Sequence, residues 1–325
     1  MAKELDLLEE LRVRADTVAT FIGQYLSKRE PSELYTAARH LLHAGGKRLR
    51  PGMAILSCEA VGGKPTSVIP AAAAIELIHN FTLIHDDIMD RDNLRRGYPA
   101  VHTLWGNAGA ILAGDTLYAK AFDLTTRAPA PPAQIKECVR ILAETSVEIC
   151  EGQWEDIEFE NRDHVSEDEY LRMVEKKTSV LYAASARIGG ILGGAERAVV
   201  DALGEYGRLV GIGFQIYDDV IDLRTPEDVL GKNRGSDILK GKKTLIIIRA
   251  HEFGENIKIF GAKKASREEI NQAIRQLEDC GSIDYAEEKA VEHVQTGKNM
   301  LKILPETKSK QLLIELADYM IKRRY

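Results

Sequence analysis

Cysteine is scarce and scattered: Cys58, Cys138, Cys150 and Cys280 are the only four in the chain, with no Cys-x-x-Cys among them. That spacing argues against a thiol zinc cluster or a disulfide-stapled fold and suits incidental thiols in a reducing compartment. Proline is nearly as sparse, and its single cluster, at 128–133, reads as a loop too short to link domains. No stretch approaches the 18 or more apolar residues of a membrane span. The opening Met1-Ala-Lys-Glu-Leu-Asp carries acids where a signal peptide carries bases, so no membrane span and a cytoplasmic location are expected. Surplus positive charge is missing as well. Lys and Arg number 44 against 50 Asp and Glu, a net charge of -6, which disfavours nucleic acid as a partner. The remaining composition, 44% hydrophobic and 29% charged over 325 residues, is that of a globular chain able to bury a core.

Strict apolar alternation is rare, whereas apolar residues recur at helical spacing almost throughout, which predicts an all-α fold. Leu5, Leu8, Leu11, Ala15, Val18 and Ile22 form one stripe of a first helix, and Pro31-Ser32 opens the next. Residues 70–89 can run as one long buried helix. Ser166-x-x-Glu169 and Ser266-x-x-Glu269 are capping boxes. Thr244 to Ile248 has strand-like composition but is too short to separate strand from buried helix. With no repeat and no convincing linker, residues 1–325 are expected to form a single domain.

Two acidic motifs interrupt this apolar background: Asp86-Asp87-Ile88-Met89-Asp90 and Asp218-Asp219-Val220-Ile221-Asp222. On a helix the first and last aspartates of each lie one turn apart on one face, and the middle one is rotated by about 100°. Like charges so placed destabilise a helix and call for a cation. Mg²⁺ is the natural candidate, because it takes one or two carboxylates, keeps waters and completes its shell with substrate phosphates. Cationic segments accompany the acids: Gly45-Gly46-Lys47-Arg48-Leu49-Arg50, Arg95-Arg96-Gly97, Lys176-Lys177-Thr178, Gly231-Lys232 and Gly241-Lys242-Lys243-Thr244. Arginine forks and lysine point charges beside glycines suit diphosphate groups. Neither Gly-Lys loop has Walker A spacing, which disfavours a P-loop nucleotidase.

Taken in order, these motifs resemble the trans-type isoprenyl diphosphate synthases, the polyprenyl synthetase family. His79, Gly152-Gln153-x-x-Asp156 and Phe214-Gln215-x-x-Asp218 extend the resemblance over nearly the whole chain. It implies an all-helical isoprenoid synthase fold around a deep central cavity, in a homodimer that uses about three Mg²⁺ ions. It further implies that Asp86, Asp90 and Asp218 bind metal, supported by Asp87, Asp219 and Asp222, with Asp156 as an extra metal or water partner. Arg95, Lys177, Gln215, Lys232 and Lys242 would hold the allylic diphosphate. Lys47, Arg50, His79 and Arg96 would hold isopentenyl diphosphate, and Thr178 and Gln215 would steady the carbocation. Asn233-Arg234 departs from a family pattern that often has proline there.

The implied reaction is ionisation of the allylic diphosphate, attack by the isopentenyl double bond and loss of a proton. Phe81, five positions and about 7.5 Å before Asp86, would form the cavity floor. This pattern is similar to that of archaeal synthases that stop at C20, with C15 or longer products as alternatives. His85-Asp86 raises a rival, the helical metal-dependent phosphohydrolases, although this leaves the second acidic motif and both lysine loops unexplained. His40-x-x-His43 lacks an evident third metal ligand and reads as packing or surface. A catalytically silent prenyltransferase subunit is a third reading; it would be expected to have lost matched acids or arginines, and none is missing.

Overall fold

The computed structural model describes residues 2–27, 29–225 and 234–322, and the expected diphosphate ligand Lys232 lies outside them. The described chain is all-α apart from one minimal hairpin, Leu94–Arg95 paired with Tyr98–Pro99. In chain order the first helices are α1 (Ala2–Tyr25), α2 (Ser32–His43), α3 (Leu49–Ala60) and α4 (Pro65–Met89). After the hairpin come α5 (Val101–Thr126), α6 (Pro132–Glu160) and α7 (Glu167–Val174). A π-helical turn at Glu175–Ser179 leads into α8 (Val180–Leu192) and α9 (Arg197–Arg224). Helical segments at Ser236–Lys240, Leu245–Glu252, Arg267–Asp279, Ser282–Met300 and Lys308–Lys322 follow.

The described backbone forms two compact units. The first takes residues 1–146, 184–204 and 303–315, and the second takes 147–183, 205–302 and 316–325. In the first unit α4 is the central helix and packs on α3 and α5. Its Ala71 to Ile75 run is wholly buried, because alanines let neighbouring helices approach closely on every side. The helix begins at Pro65, earlier than the sequence suggested, and runs through Pro70 near its start, where only one early backbone bond is lost. It is also the one described helix long and apolar enough to cross a membrane, which amends the expectation from sequence. Yet 67% of its most apolar window is buried within the chain, as in the core helix of a globular fold.

The buried stripe of α1 is Leu7, Leu11, Ala15, Val18 and Ile22, while Leu8, expected to be inside, is exposed. Both capping boxes form, with Ser166 and Ser266 each exchanging bonds with the glutamate three residues on. Thr244 to Ile248 resolves as the start of a helix capped by the Thr244 side chain. Leu245, Ile246, Ile247 and Ile248 are all buried, so enclosure on every side, rather than strand pairing, explains their continuous apolar run.

Candidate active site

Each acidic motif occupies the C-terminal end of a long helix. Asp90 caps α4, donating its backbone N–H to the Asp86 carbonyl at 2.8 Å, and the second motif fills the last turns of α9. The helix dipole is negative there, so clustered carboxylates are doubly unfavourable until a cation arrives.

Within the first motif the residues divide their work. Asp86 and Asp90 are half-buried, whereas Asp87 turns inward and is fully buried. Arg95 donates to its Oδ1 through Nε at 2.8 Å and Nη2 at 2.5 Å. Burial pushes the Asp87 carboxyl up and Arg95 pulls it back, while Oδ2 stays enclosed with no hydrogen-bond partner. The hairpin supplies the arginines. Its turn is Arg96-Gly97, both at positive φ (54° and 78°), the left-handed pair that a two-residue hairpin turn requires. Arg95 is thereby aimed at Asp87, and Arg96 donates to the Gly45 carbonyl.

Gly46, at φ 136°, leaves room for that guanidinium: a Cβ there would lie 2.7 Å from Arg96 Nη1. Arg50 Nη1 lies 3.4 Å from His79 Nε2. Because arginine can only donate, this ring nitrogen is the acceptor. Desolvation, then Arg50, Arg96 and Arg95, hold the His79 imidazole well below its usual range, so the ring is neutral. Beneath these cations lies a residue that sequence reasoning missed, Glu76. It is 2% exposed, accepts from Asn80 Nδ2 at 3.0 Å and lies 3.8 Å from Arg48 Nε. Its signal was a glutamate inside the apolar run Ile75-Glu76-Leu77-Ile78. Lys47 is exposed.

The second unit holds a separate set. Gly152 of α6 packs directly on the π-helical turn, where a Cβ would come within 2.4 Å of the Lys177 backbone nitrogen. This close approach brings Lys177 Nζ to Asp156 Oδ2 at 2.6 Å, and Lys242 Nζ lies 3.9 Å from the same oxygen. Burial pushes the Asp156 carboxyl up, but Lys177 and Lys242 outweigh it and hold it below its usual value. Asp156 is therefore a counter-ion that fixes two lysines.

The second motif does not copy the first. Asp219 is buried between the Tyr170 hydroxyl, which donates to Oδ2 at 2.7 Å, and Gln215 Nε2, which donates to Oδ1 at 3.1 Å. Burial and nearby Asp237 push its carboxyl up, and both donors pull it back. Asp222, expected to face the same way as Asp218, is 1% exposed and accepts from Ser236 Oγ at 3.0 Å and the Asp237 backbone N–H at 3.3 Å. It anchors the chain after α9, because the fold turns back across that helix face. Thr178 Oγ1 donates to Gln215 Oε1 at 3.0 Å.

Among the described residues no three His, Cys, Asp or Glu side chains are grouped to cage a metal. Half-buried carboxylate oxygens at a helix terminus are few and hard, a donor set that fits Mg²⁺ completed by phosphate and water. His85 has Asp115 Oδ1 at 3.9 Å from its Nε2, but no third ligand joins them among the described residues. Its ring meets Phe81 edge-on at 4.8 Å and its Nε2 lies 3.3 Å from the Ile111 carbonyl. His40 Nε2 meets the Pro99 carbonyl at 2.7 Å and its ring packs on Trp105, a structural role. Phe81 also meets Tyr118 at 5.1 Å, and Tyr118 meets Phe122 at 5.0 Å, forming an aromatic row between α4 and α5.

Residues 31–277 match the polyprenyl synthetase family. The chain is 55% identical to a geranylgeranyl diphosphate synthase of Methanosarcina mazei, covering 99% of each protein. It is 45% identical to a geranylfarnesyl diphosphate synthase of Natronomonas pharaonis over 96% of each. Among solved structures, the geranylgeranyl pyrophosphate synthetase of Geoglobus acetivorans superposes with a TM-score of 0.92 at 51% identity, over 96% of this chain and 99% of the other.

Proposed function

The chain belongs to the polyprenyl synthetase family, and on that basis we propose that it is a Mg²⁺-dependent trans-prenyltransferase joining isopentenyl diphosphate to allylic diphosphates, with the C20 diphosphate as product. The observation that carries this reading is the way carboxylates preset the cations: Asp87 holds Arg95, and half-buried Asp156 holds Lys177 and Lys242. Cations fixed before substrate arrives lose little on binding a polyanion and stabilise charge that develops on a leaving diphosphate.

Asp86, Asp90 and Asp218 would hold the metal, which supplies Lewis-acid neutralisation of the leaving group. Arg95, Lys177 and Lys242 orient the allylic diphosphate, and Gln215 contributes its amide. Lys47, Arg50 and Arg96 bind isopentenyl diphosphate beside His79, whose neutral ring lets the Arg50 guanidinium keep its charge for the ligand. The hydroxyl of Thr178 faces the cationic carbon with its lone pairs. The departing diphosphate takes the proton released when the new double bond forms, so no protein nucleophile is needed. Phe81, backed by Tyr118 and Phe122, limits the product to C20.

The reading extends to a homodimer working in the cytoplasm. Cys58 and Cys138 are buried free thiols, in keeping with a reducing compartment.

The deciding experiment incubates purified protein and Mg²⁺ with isopentenyl diphosphate and each of the C5, C10 and C15 allylic diphosphates, then separates the dephosphorylated products. A ladder ending at C20 is expected, and Phe81→Ala is expected to push it further. A wild-type ladder that stops at C15 or runs past C20, or an unchanged Phe81→Ala ladder, refutes the length assignment alone. Phosphate release without chain growth would favour a hydrolase, and no turnover a silent subunit.

A further inference from the structure

Four side chains of the second unit form a continuous hydrogen-bond chain, buried at both ends. Tyr170, on α7 and 2% exposed, donates its hydroxyl proton to Asp219 Oδ2 at 2.7 Å. Gln215 Nε2 donates to Asp219 Oδ1 at 3.1 Å, and Thr178 Oγ1 donates to Gln215 Oε1 at 3.0 Å. Gln215 and Asp219 are one turn apart on α9, so their bond is built into the helix.

The direction of each bond matters more than its presence. An amide offers a donor at one end and an acceptor at the other, and inverting it would set Gln215 Oε1 against a carboxylate oxygen. Asp219 therefore fixes which end of Gln215 meets Thr178. Because that end is the carbonyl, the Thr178 proton is committed to it and the hydroxyl lone pairs point elsewhere. With the amide inverted, Thr178 would accept from it and turn its own proton outward, reversing the dipole presented to a neighbouring carbon. Tyr170, bonded to the second oxygen of Asp219, keeps that group from turning away from Gln215.

We propose that Tyr170 is a positioning residue for the condensation: its hydroxyl locks Asp219, and through Gln215 sets the orientation of the Thr178 hydroxyl. The inference rests on the prenyltransferase reading above, in which Thr178 faces the cationic carbon. Tyr170 touches neither substrate in this scheme. A preorganised dipole of the right sign lowers the barrier without changing ground-state affinity.

The test is a double-mutant cycle in the Mg²⁺-loaded enzyme with isopentenyl diphosphate and an allylic diphosphate. Tyr170→Phe removes one oxygen and is expected to lower kcat about tenfold, the lower end of the effect of losing an outer-layer hydrogen bond. Both KM values should stay within about twofold, since uniform binding is untouched. In a Gln215→Ala background, where the chain is already cut, the same substitution should cost almost nothing further. An unchanged kcat overturns the proposal, as does an equal loss in the two backgrounds or a loss confined to KM, each of which marks a merely structural tyrosine. If the Phe variant does not fold by circular dichroism, Tyr170→Leu, which also lacks a donor, replaces it with the same coupling as readout. Wild-type protein that makes no longer prenyl diphosphate at all would instead refute the underlying function, a result visible before any variant is compared.

Discussion

His79 is a group whose charge is decided by its surroundings. Desolvation and three arginines depress its imidazole, so the unfolded chain, with a histidine near the usual pKa of about 6.5, binds more protons than the native one as pH falls below that value. The associated stability is fully present above pH 6.5 and is lost as pH drops toward the depressed native value. Denaturant midpoints taken between about pH 8 and about pH 5.5 should therefore fall further for wild type than for His79→Gln, which removes this ring alone. Equal pH slopes in the two proteins would contradict the assignment. The motif made this histidine visible in the sequence, but its neutral state came from burial and from arginines gathered from two other segments of the chain. Glu76 was legible only as an acid in an apolar run, and Tyr170 not at all, because a buried tyrosine looks the same in sequence whether or not its hydroxyl is used.

At the level of elements, the π-helical turn at Glu175–Ser179 presents Lys177 and Thr178, and Gly152 of α6 sets how closely it is approached. A π-turn inserts a residue into the helical repeat and re-aims the side chains around it, which is why such turns concentrate at functional sites. Gly152→Ala would bring a methyl to 2.4 Å from the Lys177 nitrogen and 2.8 Å from the Lys176 backbone, so the turn must move. Displacements near 1 Å can cost a factor of about 100 in turnover. We expect a loss of that order in kcat/KM for the allylic substrate, with folding retained by thermal melting; wild-type kinetics would show that the contact does not set the geometry. The hairpin at Leu94–Pro99 makes a related point. Its two-residue strands are below what alternation can detect, yet its Arg96-Gly97 turn is what sends Arg95 and Arg96 to different partners.

For the whole molecule, the exposed apolar side chains have a role if the chain pairs with a copy of itself. On α5 Leu104, Ile111 and Leu112 face solvent, and on α6 Val147, Trp154 and Ile157 do, with Trp154 66% exposed. Large apolar side chains repeated along a helix face are characteristic of protein interfaces. Light scattering behind a sizing column should give twice the mass of one chain, and Trp154→Glu should shift it toward the single-chain mass. A wild-type protein that elutes as one chain would remove the homodimer from the reading.

The sequence by itself determined the helical class, both capping boxes, the acidic motifs and the cations that accompany them, because periodicity and spacing along one helix are local properties of the chain. It also carried the family, since the motifs recur in fixed order. Only the tertiary structure decided what each charge does. Asp87, Asp156, Asp219 and Asp222 are bound to Arg95, Lys177, Tyr170 and Ser236, partners 8 to 49 positions away, leaving the look-alike motifs with different roles. Those pairings depend on which side chains packing removes from water, where an unpaired carboxylate costs far more than at the surface, and no linear pattern encodes that exclusion.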